Sequence, residues 1–207
     1  MTDFRTPYPT YDVLDKWDTP SWNDQTRAAI GQRLREVPQR RFLSEDQWSL
    51  LQAIVDRLMP QPDREEPVPI VPWIDALLHH NHTPGYRYAD MPPMREAWVH
   101  GLKAIGAEAR NRHGALFEQL SADDQDELLR DVEHNRVESR YWGDLPAGGF
   151  FRHHLLKEVV GIYYSHPHAW SEIGYGGPAS PRGYARLGPD ERDPWEAEEL
   201  DFEGADA

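Results

Sequence analysis

Phe42–Pro60, FLSEDQWSLLQAIVDRLMP, decides how the rest of this chain is read. Ser44 and Gln47 stand three apart, the spacing at which a Ser side chain and a Gln side chain close the first turn of a helix. Behind them Trp48, Leu51, Ile54, Val55 and Leu58 recur at three- and four-residue steps, which puts them on one helical face, and Met59-Pro60 ends the run. The same period returns downstream. It predicts a short helix Trp73–His80 with Ile74, Leu77 and Leu78 inward. A long one follows, Met94–His113, with Trp98, Leu102, Ile105 and Ala109 on one face and Gly101 and Gly106 weakening it. Ser121 caps a helix through about Val137 that buries Leu128, Leu129 and Val132. A last helix, Phe150–Tyr164, carries Leu155, Leu156, Val159, Val160 and Tyr163. Upstream, Ser21 or Asn23 caps a helix to about Arg35 that Pro38 stops. No segment alternates with the two-residue period of a strand. The expected fold is all-α and bundle-like, with both ends extended.

Prolines mark the remainder. Residues 1–20 hold Pro7, Pro9 and Pro20 among Tyr8, Tyr11 and Trp17 and should be extended, either loose or laid across a surface. QPDREEPVPIVP (61–72) and YWGDLPAGG (141–149) read as connections. The division expected is an N-terminal segment 1–20, a helical domain 21–165, an arm 166–188 and an acidic tail 189–207. The arm lies in YYSHPHAWSEIGYGGPASPRGYARLG (Tyr163–Gly188), where aromatics, glycines and prolines leave neither helix nor ordinary strand. Ordering such a segment costs about 1–2 kcal/mol per residue, recovered only by burying its rings. We read it as a clamp on another protein. Trp170, Ile173, Tyr175 and Tyr184 would be its anchors, Tyr164, Pro167 and Pro178 would lie beside them, and Arg182 and Arg186 would pair with partner carboxylates or backbone carbonyls. The other reading is that the arm folds back over this chain's own helices.

Charge and composition exclude several classes. The 207 residues carry a net charge of -14, which argues against nucleic acid or an anionic membrane as partner. Residues 189–207 hold nine carboxylates and one arginine, which reads as a solvated tail or, alternatively, as a segment docked onto a basic surface. The absence of cysteine excludes disulfides, thiolate catalysis and thiolate-held metal. No apolar run approaches the ~20 residues of a membrane span. Arg40-Arg41-Phe42-Leu43-Ser44 looks like a twin-arginine export signal, but the amphipathic helix after it is the wrong neighbour, and no basic-then-apolar start precedes it. A soluble, cytoplasmic protein is expected, with export to the periplasm alongside a partner that carries its own signal as the alternative.

Catalytic constellations are missing where they would be looked for. Ten histidines include His79, His80 and His82, the pair His153-His154, and His166 with His168, yet no HExxH or ExxH spacing occurs. His154 and Glu158, four apart on one face, are the one pair worth keeping. GGPASPRG (176–183) lacks the Lys-Ser/Thr of a phosphate loop. No catalytic, cofactor-binding or metal-ligating residue is assigned. A metal-dependent enzyme using the histidines and a helical interaction protein without a redox partner remain alternatives.

The order of FLSEDQWSLLQAIVDRLMP, the Ile74-Asp75 helix, LFEQLSADDQDELL (Leu116–Leu129), FFRHHLLKEVVGIYYSHP (Phe150–Pro167) and WSEIGYGGPASPRGY (Trp170–Tyr184) resembles the gluconate 2-dehydrogenase subunit 3 family. That resemblance implies a small helical accessory subunit with no catalytic residues of its own. Its partner would be a large FAD-dependent subunit of the glucose–methanol–choline (GMC) type that oxidises a sugar, sugar acid or glycoside, with a cytochrome c subunit as one possible electron acceptor. The small subunit would assist its partner's maturation, stability or export. The chain departs from many members of the family in having no recognisable export signal.

Overall fold

The computed structural model describes residues 6–62, 64–83, 85, 88–178, 188 and 191–200. These are helical and loop residues, with no strand among them, as the three- and four-residue periodicity requires. Two compact units emerge, Pro38–Ile162 and the described residues of Met1–Val37 with Tyr163–Ala207.

In the central unit the first full helix, which we number α2 in chain order, spans Glu45–Leu58. Ser44 and Gln47 close the expected capping box. Leu51, Ile54 and Val55 are buried, while Trp48 and Leu58 are half-buried at the edge of the stripe. Helix α3 spans Ile70–His80, three residues longer at its start than expected. Pro72 does not delay it, because a first-turn proline lacks only an N–H that would have had no partner. Helix α4, Met94–His113, has the expected bounds, and Trp98, Leu102, Ile105 and Ala109 are fully buried. Gly101 is the point of closest approach: a Cβ there would meet the Phe150 ring at 2.5 Å. The glycine that weakens the helix by propensity is thus what admits the ring, which stands edge-on to Trp98 at 5.6 Å.

Helix α5, Ala122–Glu133, ends earlier than Val137, because Asn135 turns left-handed at φ 58°. The predicted 141–149 loop contains the ends of two short helices, α6 (Ser139–Trp142) and α7 (Ala147–Phe150). From α7 the chain continues without a break through a π-helical turn, Phe151–Leu156, into α8, Lys157–Ser165. Leu155 and Val159 are buried, whereas Leu156 and Val160 are only half-buried, since the widened turn changes which residues face inward.

The terminal unit corrects the expectation of an extended N-terminal segment. Val13–Lys16 is a 3-10 turn whose Asp12 carboxylate accepts the Leu14 N–H at 2.9 Å. Helix α1, Asp24–Arg35, starts at Asn23, not Ser21. Val13, Trp22, Ile30 and Trp170 form its core, with Tyr11, Leu14, Trp17 and Leu34 packed around them. The described part of the N-terminal segment supplies Val13 to a core whose Trp170 lies more than 150 residues on, with Tyr11, Leu14 and Trp17 packed beside it.

Candidate functional site

The arm begins inside that core. Tyr163 closes on Glu172, its hydroxyl donating to both carboxylate oxygens at 3.0 and 2.8 Å. Pro167 is the first residue of a further short helix, α9 (Pro167–Trp170), and Ser171–Ile173 continues as a 3-10 turn. The expectation that nothing here could be helical is therefore corrected: a proline at the first helical position is favourable. Trp170 is 5% exposed, and its indole N–H donates to the Tyr164 carbonyl at 2.8 Å. Pro167 is buried as well. Both residues are used by this chain's own fold, so neither can anchor a partner without opening it. For the described part, the arm folds back on its own unit.

What it leaves outside is specific. Tyr164, Ile173 and Tyr175 are 38%, 43% and 44% exposed, large apolar groups held on an ordered backbone. Tyr175 stands edge-on to Trp170 at 5.4 Å, and Pro178 is exposed beyond it. Arg182, Tyr184 and Arg186 lie outside the described residues.

The glycine-rich stretch and the acidic tail meet at a residue that neither motif suggested. Lys16 is 1% exposed, and its ammonium donates to Glu196 Oε1 at 2.8 Å and to the Gly176 carbonyl at 3.0 Å. A Cβ on Gly176 would meet both ends of that ion pair at 2.7 Å, so the glycine makes room for the charges. Leu200 N–H also donates to the Pro7 carbonyl at 2.9 Å. This part of the tail is tied down, contrary to the solvated reading, because a buried lysine needs a counter-charge.

In the central unit a cavity of about 320 Å³ lies over the π turn, lined among others by Tyr88, Met91, Met94, His153, His154 and Glu158. Tyr88 stacks on the His153 ring at 3.9 Å. His154 Nε2 is buried without a hydrogen-bond partner. Burial, with smaller contributions from His153 and Lys157, lowers the His154 pKa, while burial raises that of Glu158. Both groups therefore lean towards their neutral forms. No three His, Asp or Glu side chains among the described residues come together as a ligand set. His79, His80 and His82, and His166 with His168, pack as neighbouring rings.

A larger, open groove of about 760 Å³ runs along α4, with Phe42, Val99, Ala104, Ala107 and Tyr141 as its apolar surface and Arg95, Lys103 and Arg140 as its cations. Its Phe42 side depends on a residue that sequence reasoning missed. Asp75, fully buried on α3, accepts the backbone N–H groups of Arg41 at 2.6 Å, Phe42 at 3.0 Å and Leu43 at 2.7 Å. A carboxylate at an apolar helix position, next to Ile74, was the available signal.

No helix among the described residues is long and apolar enough to cross a membrane. Residues 45–177, more than half of the chain, match the family described as gluconate 2-dehydrogenase subunit 3. No curated protein and no solved structure matches the chain.

Proposed function

The chain belongs to the gluconate 2-dehydrogenase subunit 3 family, and from that premise we propose that it is a non-catalytic subunit that binds and stabilises, or helps to mature, an FAD-dependent oxidoreductase of the GMC type. The partner's flavin oxidises a hydroxyl of a sugar, sugar acid or glycoside, and a cytochrome c subunit is one acceptor for its electrons. The observation that carries the reading is the extent of the family match, which covers the central unit from Glu45 onward and runs into the arm as far as Gly177.

Two features of the chain support it. Among the described residues there is no strand, hence no strand–glycine turn–helix cradle for a dinucleotide, and the glycine at 176 is filled by the Lys16–Glu196 pair. The flavin in this reading sits wholly on the partner, and no chemical step is assigned to this chain. Secondly, Tyr164, Ile173 and Tyr175 offer exposed apolar area on a backbone already ordered by its own core, so docking costs little additional entropy.

The test is to isolate the affinity-tagged chain gently from its native host, then record the absorbance spectrum and the masses of what accompanies it. A yellow preparation holding a flavoprotein in fixed ratio is expected. A colourless, stably folded lone chain would refute the proposal.

A further inference from the structure

The α4 groove has features that a solvent-facing helix does not need. The stripe Arg95, Val99, Lys103, Ala107 repeats at four-residue steps, which aligns the four on one face over about 18 Å at 1.5 Å rise per residue. Val99 in its middle is 40% exposed. The chain has 36 acidic and 22 basic residues. Even so, Arg95, Lys103 and Arg140 have no carboxylate within ion-pair distance among the described residues, a state they share with exposed arginines elsewhere such as Arg35, Arg41 and Arg152; what sets the three apart is that they line one groove. Glu96 is the one acidic residue lining the same groove.

Two of the cations are held in place by groups other than carboxylates. Arg95 donates from Nε to the Leu78 carbonyl at 2.6 Å and from Nη2 to the His79 carbonyl at 2.5 Å, which partly offsets its charge at the C-terminal end of α3, and its guanidinium lies over the Phe42 ring at 5.4 Å. Arg140 donates to Asn111 Oδ1 at 2.8 Å and lies over the Tyr141 ring at 4.8 Å. Guanidinium groups positioned beforehand lose little freedom on meeting a carboxylate. Lys103 is exposed between them.

We infer that this groove is the docking surface for an acidic segment of the flavoprotein partner, with an apolar side chain on Val99 and Ala107 and carboxylates towards Arg95, Lys103 and Arg140. The inference rests on the accessory-subunit reading and deepens it by naming the surface. Charge complementarity selects this occupant: a net positive, apolar-floored groove on a chain of charge -14 attracts acid locally while the rest of the surface repels it. The stripe also lies inside residues 45–177, the part shared with the family.

The experiment is co-purification of the full-length tagged chain from its host, wild type beside Val99→Glu, Lys103→Glu and Arg140→Glu. Circular dichroism and thermal unfolding monitor folding. A photo-reactive phenylalanine analogue at position 99 provides a second readout that does not depend on lost binding. Each charge-altering variant should recover at least about tenfold less flavin per chain at unchanged folding. Wild-type recovery should fall as salt is raised, and the position-99 cross-link should join the flavin-bearing polypeptide. Wild-type recovery by folded Val99→Glu and Lys103→Glu overturns the groove while leaving the proposed function standing. A cross-link to a second copy of this chain overturns it in favour of self-association. If wild-type protein brings no flavoprotein, the proposed function fails and this inference falls with it.

Discussion

Replacing Asp75 by Ala should be among the most damaging single changes in the central unit. The carboxylate receives three backbone N–H groups from Arg41–Leu43, the turn that leads into the Ser44 cap of α2 and carries Phe42 to the groove. Each buried donor left without a partner costs about 1–3 kcal/mol. The Leu43–Asp75 hydrogen bond is buried, whereas those of Arg41 and Phe42 are only partly so, and water can rescue part of the loss. The expected sum is about 3–5 kcal/mol, against the roughly 5–15 kcal/mol of a whole domain. Asp75→Asn retains one carbonyl oxygen but turns an NH₂ towards the remaining donors, and should cost about 2 kcal/mol. Urea unfolding of the full-length variants measures both values, and amide exchange at Phe42 and Leu43 should accelerate in each. A loss below about 1 kcal/mol for Asp75→Ala, with exchange unchanged, would show that the turn holds itself and that this reasoning is wrong.

Gly101→Ala should destabilise by about 1–3 kcal/mol through collision with Phe150, whereas Gly106→Ala, with Arg110 at 3.3 Å and Leu50 at 3.7 Å, should be neutral or gain about 0.5–1 kcal/mol of helix propensity; thermal melts of the two variants decide. Glu196→Ala should cost about 3 kcal/mol and Lys16→Met about 1 kcal/mol, because the first strands a buried ammonium and the second leaves a carboxylate that water can reach. Limited proteolysis near the termini should report the same order, and equal effects would count against the asymmetry. His154 and the paired aspartates should each lower stability as pH is lowered, while Glu158, raised by burial, opposes them between its native value and 4.5. His154 has a lowered native pKa, so its contribution is complete above its ordinary 6.5 and declines as pH falls through that value towards the native one. Asp126 is held low by the hydrogen bonds of Arg57, and Asp131, although burial pushes it up, is held low by those of Arg112 and Arg136. Their contribution is complete above 3.8 and is lost as pH falls further. Denaturant midpoints measured across pH test this, and His154→Leu should remove the His154 contribution alone.

The helices were legible where their cause is local. The Ser44–Gln47 box, the α4 stripe and the Ser121 cap depend on residues three or four apart, and structure and sequence agree on them. The π turn left no such trace, since FRHHLL reads as ordinary helix until the surrounding packing widens it. Asp75 was passed over because its donors stand more than thirty residues before it. In the arm, Trp170 looks like a partner anchor when the segment is viewed alone, and becomes core once Val13, Trp22 and Ile30 are brought against it.

By itself the sequence determined an all-α chain, the inward faces of α2, α4 and α5, the excess of acid and the family, because these follow from backbone period, capping chemistry and residue order. Only the tertiary structure decided which aromatics are covered, which carboxylates are tied and which cations stand without a counter-charge. Burial and ion pairing depend on groups tens to more than a hundred residues apart, and no local pattern records which of them meet.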